Sequence, residues 1–305
     1  MKISNLTKGY ILGAVSAASY GTNPLFAIPL YKAGMTVGSV LFYRYGIAAV
    51  LMAFLMLYQR QSFFVKRKDL VWLIILGLLF SASSLFLFLS YKYMDVGIAS
   101  TILFVYPILI AIIMAVFFHE RMNLSTILSI SLAVIGISMT EKTSTGDPLS
   151  STGIIFSFLS AITYALYMVG CDKTSLNKLP NFKLNFYAIL FGTSLYIIML
   201  HGCTRLQPIP QPSLWIDAIG LGIFPTVISL IFLTMAIKYI GPTATAILGA
   251  LEPVTALIIG CCFFNEMINA RIIFGIILVL VSVVLIIAGK DISLVYKMKF
   301  SHKNK

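Results

Sequence analysis

Charge is scarce in this chain. Asp, Glu, Lys and Arg make up 10% of its 305 residues, where a soluble domain carries about 25%. With 59% of residues hydrophobic, there is too little polar surface to cover a water-soluble globule of this size. Acid is scarcer still: 10 Asp and Glu stand against 22 Lys and Arg, for a net charge of +12. In a soluble chain that excess would point to nucleic acid. In a membrane chain it reads as basic residues gathered in cytoplasmic loops, and no nucleic-acid partner is expected. The four cysteines are Cys171, Cys203, Cys261 and Cys262, with no CxxC or His/Cys spacing. They read as small apolar fillers, which excludes a disulfide framework and a metal site. His119, His201 and His302 are scattered without ligand spacing. No GxxxxGK[ST] occurs, nor a soluble segment to hold one, so the chain has no ATP-driven motor of its own. No HExxH occurs and no aspartate lies deep in an apolar run except Asp217, near one end of its segment, which weighs against an intramembrane enzyme. No cofactor is expected.

Long apolar runs are abundant instead. A helix needs about 20 apolar residues to cross the hydrocarbon core. Ten segments qualify, at about 9–31, 36–58, 70–91, 96–118, 123–140, 152–171, 184–202, 213–237, 243–264 and 270–289. The first is too long for a signal-peptide core and is read as span one. With the N-terminus inside, sixteen Lys and Arg residues fall on the inner side and five on the outer, and Arg44 lies within span two. That bias places both termini in the cytoplasm. Trp72 and Trp215 open spans three and eight, where an indole suits the headgroup layer.

The spans repeat. Residues 92–123 align with 238–269 at an offset of 146. Lys92, Tyr93, Pro107, Phe117, Phe118, Glu120 and Asn123 recur as Lys238, Tyr239, Pro253, Phe263, Phe264, Glu266 and Asn269. Upstream the offset is 144: Gly9, Ser16, Ala17, Ser19 and Tyr20 match Gly153, Ser160, Ala161, Thr163 and Tyr164. The unit is five spans, and five is odd, so the second copy enters the membrane in the opposite sense. The expected fold is an all-α membrane protein of ten transmembrane helices built from two inverted five-helix repeats, 9–140 and 152–289. A basic cytoplasmic tail follows at 290–305. Such a pair permits alternating access by rocking about a central site. A passive channel or a membrane scaffold is the alternative reading of the same duplication.

Prolines and intramembrane charges mark where that site would lie. Pro107 and Pro253 stand at equivalent places in spans four and nine. Each removes a helix hydrogen bond and frees the carbonyl four residues back, at Leu103 and Gly249. Pro24 does the same for Tyr20. A freed carbonyl in lipid must face protein, water or a ligand, and paired interruptions in two halves are the best sequence pointer to a transporter site. A packing kink is the plainer reading. Arg44 and Glu252 are the ninth and tenth residues of their spans, roughly 12–15 Å into a core about 30 Å thick. A charge there costs about 2.5–3.5 kcal/mol, so each must face the interior and find a partner. Their repeat equivalents, Ala188 and Tyr106, are uncharged. Two roles fit Glu252: a protonatable carboxylate that loads and releases a proton, or half of a fixed pair with Arg44. Arg44 could instead hold a substrate carboxylate. Tyr20, Tyr106, Tyr164 and Tyr167 are candidate cavity-lining residues, or packing. Glu120 and Glu266 end spans four and nine, where a carboxylate can cap or tether the next helix.

Several of these residues resemble a known family. Ser19-Tyr20-Gly21-Thr22-Asn23 is similar to the aromatic-Gly-x-Asn element of EamA-type transporters, in the drug/metabolite transporter superfamily, which more often carry Trp where Tyr20 stands. Ala161 to Tyr167 looks like its second copy, and Arg44 followed by Tyr45, Gly46 and Ile47 resembles the family's span-two arginine. Pro107 to Glu120 and Glu252-Pro253 to Glu266 resemble its doubled Pro…Glu signature. The resemblance covers residues 9–289. It implies a ten-helix carrier in the inner membrane that moves small metabolites, often amino acids or their derivatives and frequently outward. Asn23, Arg44, Tyr106, Tyr167 and Glu252 are the candidate substrate or coupling residues, with Tyr20, Thr22 and Tyr164 beside them. Pro24, Pro107 and Pro253 are the candidate hinges. The expected partners are a small-molecule substrate, protons and the lipid bilayer.

Overall fold

A computed structural model describes residues 4–93, 99, 102–120, 122–140, 150–264, 270, 271 and 273–285. Glu266 and the basic tail lie outside them. Helices dominate because the apolar runs leave backbone groups with no water to bond, and a helix satisfies them within one segment. Side chains set the starts. Ser4 accepts from the Thr7 amide at 3.1 Å and opens α1 (Asn5–Tyr20). Ser150 does the same for Gly153 at the start of α7 (Ser151–Lys173). Both are N-caps that satisfy a donor the helix leaves bare.

In chain order α2 (Asn23–Lys32), α3 (Val37–Tyr58), α4 (Arg67–Ser90), α5 (Tyr106–Phe118) and α6 (Leu124–Thr140) precede α7. After it come α8 (Asn181–Met199), α9 (Leu214–Gly222), a π-helical turn (Ile223–Ile228), α10 (Ser229–Leu248), α11 (Leu251–Phe264) and α12 (Ile273–Leu285). Five of the helical stretches are long and apolar enough to cross a bilayer: α3, α4, α7, α8 and the run from Leu214 to Leu248. The chain is a multi-pass membrane protein.

Several expected spans are broken rather than continuous. The first divides at Gly21–Thr22 into α1 and α2, with Pro24 in the first turn of α2. Before Pro107 the helix is interrupted at Phe104–Val105, so that the proline opens α5 instead of kinking a longer helix. Before Pro253 it stops at Gly249–Ala250, and α11 begins at Leu251. A proline is tolerated in a first turn because its missing N–H would be unpaired there anyway. The boundary expected near residues 238–242 is a kink inside α10, where Gly241 takes φ +80°. Only glycine adopts that backbone without strain.

Glycines also decide which helices touch. A Cβ on Gly9 would lie 2.5 Å from Ile240 Cγ2, and one on Gly13 2.5 Å from Leu248 Cδ1, so α1 lies flush on α10. On Gly77 of α4 it would lie 2.7 Å from the Ala188 carbonyl of α8. Small residues give membrane helices this close approach where the hydrophobic effect offers no drive. Two serine contacts cross the bundle at mid-helix. Ser16 Oγ of α1 donates to the Ser229 carbonyl of α10 at 2.8 Å. Ser160 Oγ of α7 donates to the Ser83 carbonyl of α4 at 2.7 Å, and Ser83 returns a bond to the Ser160 carbonyl at 3.1 Å.

Candidate functional site

The helix breaks converge on a buried polar cavity. Tyr20 comes from the end of α1, Tyr106 from the start of α5 and Glu252 from the first turn of α11. Tyr164 of α7 stands edge-on to Tyr106, ring centroids 4.9 Å apart. Ser16, Ser229, Thr245 and Gly249 complete the polar wall. In this state the space has room for about a single water and is partly open, with Tyr20, Tyr164 and Glu252 half-buried. Glu252 sits where the positive end of the α11 dipole favours a carboxylate. Among the described residues its carboxylate makes no hydrogen bond and no ion pair.

Tyr106 ties two broken helices together. Its hydroxyl donates to the Ala246 carbonyl at 3.2 Å, near the end of α10. Gly249 is required beside it, because a Cβ there would fall on the Tyr106 hydroxyl. Gly21 is equally confined: a Cβ would lie 2.5 Å from the Glu252 carbonyl, so the break in span one rests directly on the backbone of α11.

Arg44 lies outside the cavity wall. It is fully buried. Its Nε donates to Thr226 Oγ1 at 2.8 Å and its Nη2 to the Pro225 carbonyl at 3.3 Å. The guanidinium carbon stands 5.5 Å from the Tyr20 ring centroid, 5.9 Å from Tyr45 and 5.8 Å from Phe88, a cage of aromatic faces that suits a cation. Nη1, packed within these surroundings, meets no acceptor at hydrogen-bond distance among the described residues. The π-helical turn is what places those acceptors. Pro225 cannot donate to Leu221, and Thr226 Oγ1 supplies the missing bond to the Leu221 carbonyl at 2.8 Å. The expected fixed pair of Arg44 and Glu252 is absent: the ion pair present among the described residues is Lys173–Asp172, at 2.8 Å. Tyr20 intervenes, its ring under the guanidinium on one side and its side chain on the cavity that Glu252 lines.

The remaining candidates are dispersed. Thr22 Oγ1 donates back to the Ser19 carbonyl at 2.7 Å. Asn23 opens α2, and its buried Oδ1 has no hydrogen-bond partner among the described residues. Tyr167 is fully buried against Phe80, at 5.0 Å between ring centroids. Glu120 is exposed just beyond α5, after the left-handed His119, and no side-chain bond from it to α6 is present among the described residues. No group of three metal-ligating side chains occurs among the described residues. Sequence reasoning did not single out Thr226, Thr245 or Ser229 as site residues, and named Gly249 only for its freed carbonyl. The signals were present: Pro225-Thr226 interrupts an apolar run, and Ser229 stands 146 residues after Ser83.

Interrupted membrane helices meeting at a polar pocket with one carboxylate are features of a membrane transporter. The chain belongs to the EamA-like transporter family, whose model matches residues 7–141 and again 151–288. It is similar to an uncharacterized transporter of Archaeoglobus fulgidus, 26% identical over 59% of this chain and 63% of that protein. It also resembles the uncharacterized transporters sll1319 of Synechocystis, 28% identical over 66% of this chain and 61% of the relative, and YxxF of Bacillus subtilis, 22% identical over 65% and 63%. The matched stretch is thus under two thirds of each relative's length. A crystal structure superposes with a TM-score of 0.79 over 91% of this chain and 95% of the other, at 15% identity, which shows a shared fold.

Proposed function

We propose that this chain is a secondary transporter, an exporter of small metabolites such as amino acids or their derivatives, working by alternating access about the Tyr20–Tyr106–Tyr164–Glu252 cavity. The observation that carries the reading is that this cavity draws on both halves of the chain at the points where their helices are broken. Ten spans in two inverted repeats are supported by paired contacts. Ser160 and Ser229 follow Ser16 and Ser83 by 144 and 146 residues, and Ser16–Ser229 and Ser83–Ser160 make the same seryl-to-carbonyl bond. Each contact joins a helix of one half to a helix of the other, as a rocking mechanism requires. The charge bias favours an inner membrane with both termini cytoplasmic, and Glu252 is the natural carrier of a coupled proton.

Counterflow in liposomes, screened across amino acids and metabolites with and without a pH gradient, tests this. Exchange of at least one solute is expected, with Glu252→Gln losing the pH-gradient drive while remaining folded and monodisperse. Ion conductance beyond carrier rates, above about 10³ per second, or a screen in which nothing exchanges, overturns it.

A further inference from the structure

Six hydroxyls line the cavity, those of Ser16, Tyr20, Tyr106, Tyr164, Ser229 and Thr245. Three of its hydroxyl protons are already committed to backbone carbonyls: Ser16 to Ser229 at 2.8 Å, Tyr106 to Ala246 at 3.2 Å and Thr245 to Gly241 at 2.8 Å. A hydroxyl that donates elsewhere keeps only lone pairs to offer. Glu252 adds a carboxylate, an acceptor when ionised. Among the described residues no Lys or Arg forms part of the wall. The nearby cation, Arg44, spends Nε and Nη2 on Thr226 and Pro225 and its faces on aromatic rings, so it is held out of the pocket. Tyr20, Tyr106 and Tyr164 supply aromatic walls around the carboxylate.

We propose that the cavity binds the ammonium group of its cargo, so that the carrier takes amines in preference to zwitterions and rejects carboxylates. Resting on the carrier reading above, this narrows the cargo from amino acids or their derivatives to those derivatives that keep a free amino group and lack the acid. A primary ammonium brings three donors and a positive charge, and the site offers a carboxylate, hydroxyl lone pairs and tyrosine rings in return. A carboxylate entering the same space would face Glu252, while the cation behind Tyr20 is turned to Thr226 and Pro225. Arg44 is accordingly a positioning residue that fixes the π-helical turn, and it does not touch cargo.

Binding to the purified full chain in detergent decides the point. The probes are 2-phenylethylamine, phenylalanine and 3-phenylpropionate, which share a ring and differ in charge. The amine is expected to raise the unfolding temperature most and to bind tightest, the zwitterion at least about tenfold more weakly and the acid not at all. Glu252→Gln is expected to weaken the amine by at least about tenfold, the loss of one charge-assisted contact. Equal or better binding of the acid or zwitterion overturns the proposal, as does undiminished amine binding by a folded Glu252→Gln. A Glu252-dependent shift from sodium chloride alone, matching that of the amine, assigns the pocket to an inorganic cation and also overturns it. Where Glu252→Gln fails to fold, the order of the three probes on the wild-type chain decides. Exchange of other solutes in counterflow without amine binding defeats this inference and leaves the carrier reading standing. Silence in counterflow defeats the carrier reading, and the binding order still judges this one.

Discussion

Gly249 and Tyr106 share one small volume, and neither can change alone without cost. Adding a methyl at Gly249 drives it onto the Tyr106 hydroxyl. Overpacking of this kind costs about 1–3 kcal/mol. Removing the hydroxyl with Tyr106→Phe forfeits one bond to Ala246, about 0.5–1.5 kcal/mol, and opens the space. Gly249→Ala is therefore expected to lower the unfolding temperature sharply in the wild-type background and much less in Tyr106→Phe. A double-mutant cycle followed by thermal melts measures the coupling. Additive losses would show that the two do not compete for space. Tyr106 was legible in the sequence as a cavity candidate. Its partner was not, because nothing local to Gly249 reveals a phenol arriving from another helix 143 positions away.

Among the elements, the π-helical turn is the least regular and the most heavily used. One threonine hydroxyl donates to Leu221 and accepts from Arg44. Thr226→Val keeps the shape and removes both bonds, leaving a buried guanidinium short of an acceptor. A charged donor stranded in this way costs more than an ordinary lost hydrogen bond. Thr226→Val is expected to cut the yield of folded protein several-fold, whereas Thr226→Ser retains it; size-exclusion profiles of the membrane extract distinguish the two. Equal yields would show that Arg44 does not depend on the turn. The breaks before Pro107 and Pro253 could be read from spacing, since a proline in an apolar run has one physical consequence. The bulge at Pro225 could not be placed so well. Whether a helix answers a proline by stopping or by widening depends on which side chain reaches the freed carbonyl, and Thr226 is that side chain here. The absence of an Arg44–Glu252 pair has the same origin. Depth along a span follows from counting, but the rotation that sends one charge to Thr226 and the other to the cavity is set by packing.

At the scale of the whole molecule, the proposed opposed halves make a topological claim. The N-terminus and the 141–149 connection should lie on opposite sides of the membrane, because five spans separate them. In a chain freed of its native cysteines, Ser144→Cys is expected to react with an impermeant maleimide in intact cells, and a cysteine at the N-terminus only after permeabilisation. Labelling of both from one side would contradict the inverted arrangement. The doubling is proposed because many residues recur at nearly one offset. The close seam of α1 on α10 was foreshadowed only by Gly9 and Gly13, a spacing that leaves the partner helix open.

The tightness of the cavity has an electrical corollary. A chamber that admits one water at a time cannot hold a file of them, and hydronium needs such a file to hop along. In this state the pocket by itself therefore offers no conducting thread among the described residues.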